Sequence, residues 1–117
     1  MRQKVILLLP LTFNDGSSVP QATLDAIFDE LFIEYGGYTI AGTVRGTYRM
    51  QSGAKQVDVC QEVWVGVAEG ELHGLRERVG KYAARLGQEV MYFEVTDATV
   101  EFIGPPAEEG PGNGEGE

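Results

Sequence analysis

Residues 57–68 read VDVCQEVWVGVA. Val57, Val59, Val63, Val65 and Val67 occupy odd positions, with Gln61 the exception, and Asp58, Cys60, Glu62, Trp64 and Gly66 alternate with them. Side chains on a strand point alternately to its two faces, so this stretch reads as a strand with one apolar face and one mixed face. A sheet of such strands needs cover on one side only.

Upstream, residues 39–50 form a second β-rich run, separated from the first by QSGAK at 51–55. Two such runs around a short Gly-containing turn predict a hairpin with a loop of about five residues. On either side of the hairpin the period changes. Leu24, Ile27, Phe28, Leu31, Phe32 and Tyr35 make one apolar stripe at helical spacing, with Asp25, Asp29, Glu30 and Glu34 on the other side. Pro20 suits the first turn of that helix, and Gly36-Gly37 supplies the left-handed conformation that ends it. Leu72, Leu75, Val79, Tyr82, Ala83 and Leu86 repeat the stripe, with Gly87 as the cap. Arg76, Arg78, Lys81 and Arg85 gather toward the end of this second helix, where positive charge complements the backbone dipole.

The outer segments complete the pattern. Residues 5–13 are apolar on both faces, as an interior strand should be, and Pro10 marks a bulge or the end of that strand. NDGSS at 14–18 is a loop. QEVMYFEV at 88–95 reads as a closing strand, and residues 98–103 as a short additional one. The order β, α, β, β, α, β predicts an α+β, ferredoxin-like βαββαβ sandwich: an antiparallel sheet with two helices on one face, a helix-free second face and an extra C-terminal strand. One domain over 1–104 is expected, followed at 105–117 by an acidic tail rich in Gly, Pro and Glu. That tail has no apolar anchor to repay its ordering entropy and reads as disordered.

The 117 residues suffice for one two-layer core, and 43% hydrophobic with 23% charged residues is ordinary for a globular protein. The formal net charge is −9, of which Glu108, Glu109, Glu115 and Glu117 in the tail contribute four charges. A chain of that sign repels phosphate backbones, so a nucleic-acid partner is not expected; the one basic stripe, Arg78, Lys81 and Arg85, reads as a solvated helix face. The start, MRQKVILLLPL, has the charge and apolar run of a signal peptide but no small-x-small cleavage site, and the run is too short to span a bilayer. It reads as the first strand, and no membrane association is expected. Cys60 is the only cysteine, so no intramolecular disulfide forms, and a cytoplasmic location follows by default.

Candidate chemistry is sparse. His73 stands alone in the first turn of the second helix, with no partner to orient it as a base. Cys60 lies between Asp58 and Glu62 on the same strand face, and neighbouring negative charge raises a thiol pKa rather than activating it. Carboxylates at 58, 62 and 94 recur on any solvated sheet and make no metal site without a second histidine; neither metal nor cofactor is expected. Arg45 and Arg49 share one strand face with Thr43 and Thr47, while Val44, Tyr48 and Met50 take the other. If the apolar set looks toward the helices, both arginines belong to the helix-free face, with Glu62, Trp64, Tyr92 and Glu94 around them. Such a face supports cross-strand ion pairs and cation–π contacts, or an interface, since Trp, Tyr and Arg are common interface anchors.

Together, NDG at 14–16, Gly46-Thr47-Tyr48-Arg49 and Gln88-Glu89 resemble the pattern of a bacterial family of uncharacterised proteins, the domain of unknown function 3574, over roughly residues 5–103. Tyr48 stands where that pattern has tryptophan. The resemblance implies the same element order, adds Gln88 and Glu89 to the residues of interest, and implies no reaction.

The sequence therefore supports a non-catalytic domain that self-associates, as a homodimer, or binds a protein partner through its helix-free sheet face. The alternative is an enzyme or anionic-ligand binder with a pocket near Arg45 and Arg49, in which Tyr48, Tyr92 or Glu94 would serve as acid or base. Candidate ligand or interface residues are Arg45, Tyr48, Arg49, Trp64, Gln88, Glu89, Tyr92 and Glu94.

Overall fold

Four strands and two helices follow the order expected from the periodicities. In the computed structural model, which describes residues 2–107, they are β1 (Arg2–Pro10), α1 (Gln21–Tyr35), β2 (Thr39–Arg49), β3 (Lys55–Ala68), α2 (Leu72–Arg85) and β4 (Phe93–Val100), with one 3-10 turn at Glu69–Glu71. The sheet order is β2-β3-β1-β4, and every neighbouring pair is antiparallel. This is the ferredoxin-like sandwich. Tail residues 108–117 lie outside the described part, and 105–107 are exposed and without regular structure.

The core occupies one face of the sheet. Val5, Leu7 and Leu9 of β1 pair with Val65, Val63 and Gln61 of β3, and every one of these valines and leucines is fully buried. Leu24, Ile27, Phe28, Leu31 and Tyr35 of α1, with Leu75, Val79, Tyr82 and Leu86 at α2, close over them as one cluster. Each fully buried Leu, Ile or Val here contributes roughly 1.5–3 kcal/mol of transfer free energy. Phe32, expected in the α1 stripe, is 62% exposed. At about 100° per residue it sits at the flank of the stripe, and the side chains centred on Leu31 already fill the contact.

The helix ends behave as the glycines suggest. Gly36 adopts φ 85° and donates its N–H to the Phe32 carbonyl, and Gly87 adopts φ 66° beyond α2. The two helices are clamped by Glu30 of α1, whose carboxylate accepts hydrogen bonds from Arg78, Tyr82 and Arg85 of α2, each at 3.2 Å. Arg78 also lies 3.4 Å from Glu34. Two of the three cations in the basic stripe are thus already paired within the fold.

Three expectations need correction. Residues 88–92 are not in a strand, and the closing strand begins only at Phe93. Residues 98–103 make no separate strand among the described residues. β4 itself runs on to Val100, across a bulge where Lys4 pairs with Thr96 but Gln3 with Thr99, and Phe102 and Ile103 beyond it are exposed. The third correction concerns β2. Ile40 pairs with Val63, but Gly42 pairs with Glu62, so one extra residue is taken up between them. A bulge of this kind moves every later side chain to the opposite face. Gly42 has φ 144°, a conformation that a side chain disfavours. After the bulge Arg45 and Arg49 pair with Val59 and Lys55, on the helix side, whereas Val44 and Tyr48 pair with Cys60 and Gln56, on the helix-free side. The arginines and Tyr48 have exchanged the faces that simple alternation assigned them.

Candidate functional site

The helix-free face carries the even-numbered residues of β1 and β3. Along β1 they run Lys4, Ile6, Leu8 and Pro10, and opposite them on β3 lie Gly66, Trp64, Glu62 and Cys60. Glu94 of β4 pairs with Ile6, which places it on the same face. Ile6, Leu8 and Trp64 are only half-buried because no helix reaches them. At one end Lys4 Nζ stands 3.5 Å from the centre of the Trp64 ring, a cation–π contact. The Trp64 Nε1–H donates to Glu62 Oε2 at 2.6 Å, and the Tyr92 hydroxyl donates to Glu94 Oε1 at 2.5 Å. Trp64 and Tyr92 are therefore each directed by a carboxylate two residues away on the same strand or segment.

At the other end, beyond the last pair of β1, three connections converge. The Asn14 side chain donates to the Gly87 carbonyl at 3.1 Å, and the Gln88 amide reaches Asn14 Oδ1 at 3.4 Å and the Leu86 carbonyl at 3.2 Å. The hairpin turn is tied to the same segment, since the Gln51 N–H points at Glu89 Oε1 at 3.4 Å. Asp15 holds the first loop in shape by accepting from the Ser17 backbone and hydroxyl, and the Ser17 hydroxyl lowers its pKa first. The NDG loop and the hairpin turn, far apart in the chain, are thus both tied to the Gly87–Glu89 segment at one rim of the sheet.

Beside Gln88 and Glu89 lies a cavity of about 260 Å³. Leu8, Pro10 and Cys60 line it from the sheet, Tyr48, Met50 and Asp58 from the hairpin, and residues 88–92 from the segment before β4. Tyr48 reaches it because Gly46, two residues away on the same face, has no side chain: a Cβ there would occupy the space of the Tyr48 ring. Of the candidates read from sequence, Tyr48, Gln88, Glu89 and Tyr92 line this cavity, and Glu94 is attached to it through Tyr92. Trp64 lies at the opposite end of the face, beside a separate depression lined by Lys4 and Tyr38. Arg49 lines only a shallow hollow at the hairpin tip with Lys55 and Gly53, and Arg45 lines neither. Met50, Asp58 and Met91 were missed as site residues. For Met50 and Asp58 the signal was the parity they share with Tyr48 along the hairpin, once Gly42 is read as a bulge.

The electrostatics of the cavity are uniformly acidic or neutral. Burial, helped by Asp58, pushes the Cys60 thiol up to about 11, so it stays protonated and unreactive near neutrality. Burial likewise raises Tyr48, with the Cys60 and Asp58 charges adding to it, and the hydrogen bond to Glu94 raises Tyr92. Among the described residues no lysine, arginine or histidine lines the cavity. His73 does not line it either; it is exposed on α2, 3.3 Å from Glu77. Among the described residues no group of three or more His, Cys, Asp or Glu is placed to hold a metal ion, and no helix is long and apolar enough to cross a membrane.

No family model matches the chain, and no curated protein matches it. Among solved structures it is similar to a divalent cation tolerance protein (Cut A1) from Thermus thermophilus, with a TM-score of 0.62 and 18% sequence identity, covering 87% of this chain and 88% of that one. At this level of identity the likeness establishes a shared fold, the ferredoxin-like sandwich already described, and nothing about the chemistry of either chain.

Proposed function

We propose that this chain is a non-catalytic binding module that self-associates through the helix-free face of its sheet, forming a two-fold dimer. The observation that carries the reading is the half-buried band of Ile6, Leu8 and Trp64, running along that face from the Trp64 end toward the cavity, which no helix of the described residues covers. Large aromatic and aliphatic groups left in this state gain most by excluding water against another surface. A second copy is the occupant that fits the charges. Lys4 stands toward one end of the band and Glu62 and Glu94 toward its middle and other side, so a two-fold axis brings the cation of each face over carboxylates of the other. The lack of a paired nucleophile and base among the described cavity residues favours binding over catalysis. A cytoplasmic setting belongs to the same proposal, supported by the lone, buried and protonated Cys60. So does the resemblance to the domain of unknown function 3574, supported by the Asn14–Gln88 contact and by Tyr48, Gln88 and Glu89 lining one cavity.

Sedimentation equilibrium from low to high micromolar concentration tests this. The wild type should be dimeric, and Trp64→Arg should weaken association at least tenfold without loss of secondary structure. A wild-type chain that stays monomeric at high micromolar concentration overturns the proposal.

A further inference from the structure

The cavity at the rim has a character distinct from the apolar band. Its floor is apolar, its walls carry two tyrosines and two methionines, and its carboxylates are those of Asp58 and Glu89. Asp58 receives a hydrogen bond from Gln56 Nε2 at 3.0 Å, and Glu89 a long contact from the Gln51 N–H at 3.4 Å. Each carboxylate keeps accepting capacity for a further donor. The cations nearest in sequence, Arg45, Arg49 and Lys55, leave from the opposite face of the hairpin, so no cation of the described residues neutralises the site from within. An anion would meet carboxylates without a partner. A hard divalent cation would need about six oxygen ligands, which two carboxylates in an apolar surround do not supply. A neutral apolar molecule would leave the acids unused.

We propose that this cavity binds a small organic cation, an amine or quaternary ammonium with a short apolar body, the charge lying among Asp58, Glu89 and the Tyr48 and Tyr92 rings and the body against Leu8 and Met91. Aromatic rings and carboxylates together are the chemistry that recognises ammonium groups, and methionine adapts to the shape of an apolar body. About 260 Å³ is slightly below the range of drug-sized pockets, so the guest is small. Because the tyrosines remain protonated through neutral pH, they offer neutral ring faces and hydroxyl oxygens that can accept from an ammonium N–H, the Tyr92 proton being already donated to Glu94. The site goes beyond the self-association surface: it lies at the hairpin end of the face, past Ile6 and Trp64, and shares Leu8 with that band.

The test is a titration of the full-length chain with 2-phenylethylamine, followed by backbone amide NMR, beside the near-isosteric neutral 2-phenylethanol and tetramethylammonium. The amine should give saturable shifts at Tyr48, Cys60 and residues 88–92, should bind at least tenfold more tightly than the alcohol, and should weaken with salt. Tetramethylammonium should shift the same residues. Glu89→Gln with Asp58→Asn, which keeps size and hydrogen bonding, should reduce amine affinity at least tenfold. Equal binding of alcohol and amine, no saturable shift with either cation, or an unchanged double variant each overturns the proposal. So do shifts that follow protein concentration instead of amine, which would mean that a second copy fills the cavity. Sedimentation of the same samples reads self-association independently, and Trp64→Arg should leave amine binding intact.

Discussion

The two faces of one sheet are built from the same strands and differ in a single circumstance, the presence of helices. On the covered face Val5, Leu7, Leu9, Val63, Val65 and Val67 are fully buried. On the other, their immediate neighbours Ile6, Leu8 and Trp64 are half-exposed, and Lys4, Glu62, Glu94 and Tyr92 contribute the polar contacts among them. The covered face specifies the fold through its fully buried centre, with Gln61, Arg45 and Arg49 toward its margin; the open face carries the candidate chemistry because a fold already secured from one side leaves the other free to vary.

The sharpest way to break this comparison is to truncate neighbours on opposite faces. Leu7→Ala should cost about 2–5 kcal/mol, because a rigid, fully covered site leaves a cavity behind. Ile6→Ala, one residue away, should cost about 1–2 kcal/mol in dilute solution, with a larger loss at high concentration if the proposed dimer forms. Chemical denaturation at two protein concentrations reads both. Equal costs at low concentration would show that the faces are not as different as their burial states.

The bulge that re-aims the hairpin is the next target. Gly42→Val places a β-branched side chain at φ 144° and should destabilise by about 1–3 kcal/mol. Where the strand escapes the strain by losing its bulge, Tyr48 leaves the cavity, and the amide signals of residues 88–92 should move with it. A variant with wild-type stability and unchanged signals would refute the role given to Gly42.

The smallest expected effect separates the helix layer from the sheet. Although its partial burial works the other way, the Arg85 guanidinium leads the groups that hold the Glu30 carboxyl below its ordinary value of 4.5. A depressed folded-state value means that Glu30 contributes its full stability above about pH 4.5 and loses it as pH falls through the lower folded value. With a third of the side chain exposed, screening limits the contribution, and Glu30→Gln should cost about 1 kcal/mol at pH 7. The difference between wild type and variant should shrink in acid. A difference that grows below pH 4 would contradict the assignment.

How far the sequence was legible follows from the range of the forces involved. The α1 and α2 stripes, the odd-numbered valines of β3 and the capping glycines 36 and 87 were readable because period and backbone conformation are local properties. Tyr48, Gln88, Glu89 and Tyr92 were singled out before their meeting point was known. Arg45 and Arg49 were misplaced for a local reason with a non-local consequence: one extra residue is absorbed beside a glycine, and alternation counted through it gave the wrong face. Residues 88–92 have the composition of a strand, yet the Gln88 and Glu89 side chains bond to Asn14 and Gln51 and the backbone of the segment joins no ladder.

The chain by itself determined the element order, the side on which each helix and β3 is apolar, and hence a sheet covered on one face, because those features depend on residues within a few positions of one another. Only the tertiary structure decided which face the hairpin residues occupy past Gly42, and that β1, the hairpin strands and the segment before β4 line one cavity. Register and convergence are settled by pairing across the whole sheet, where a shift of one residue at a single glycine outweighs every local preference that follows it.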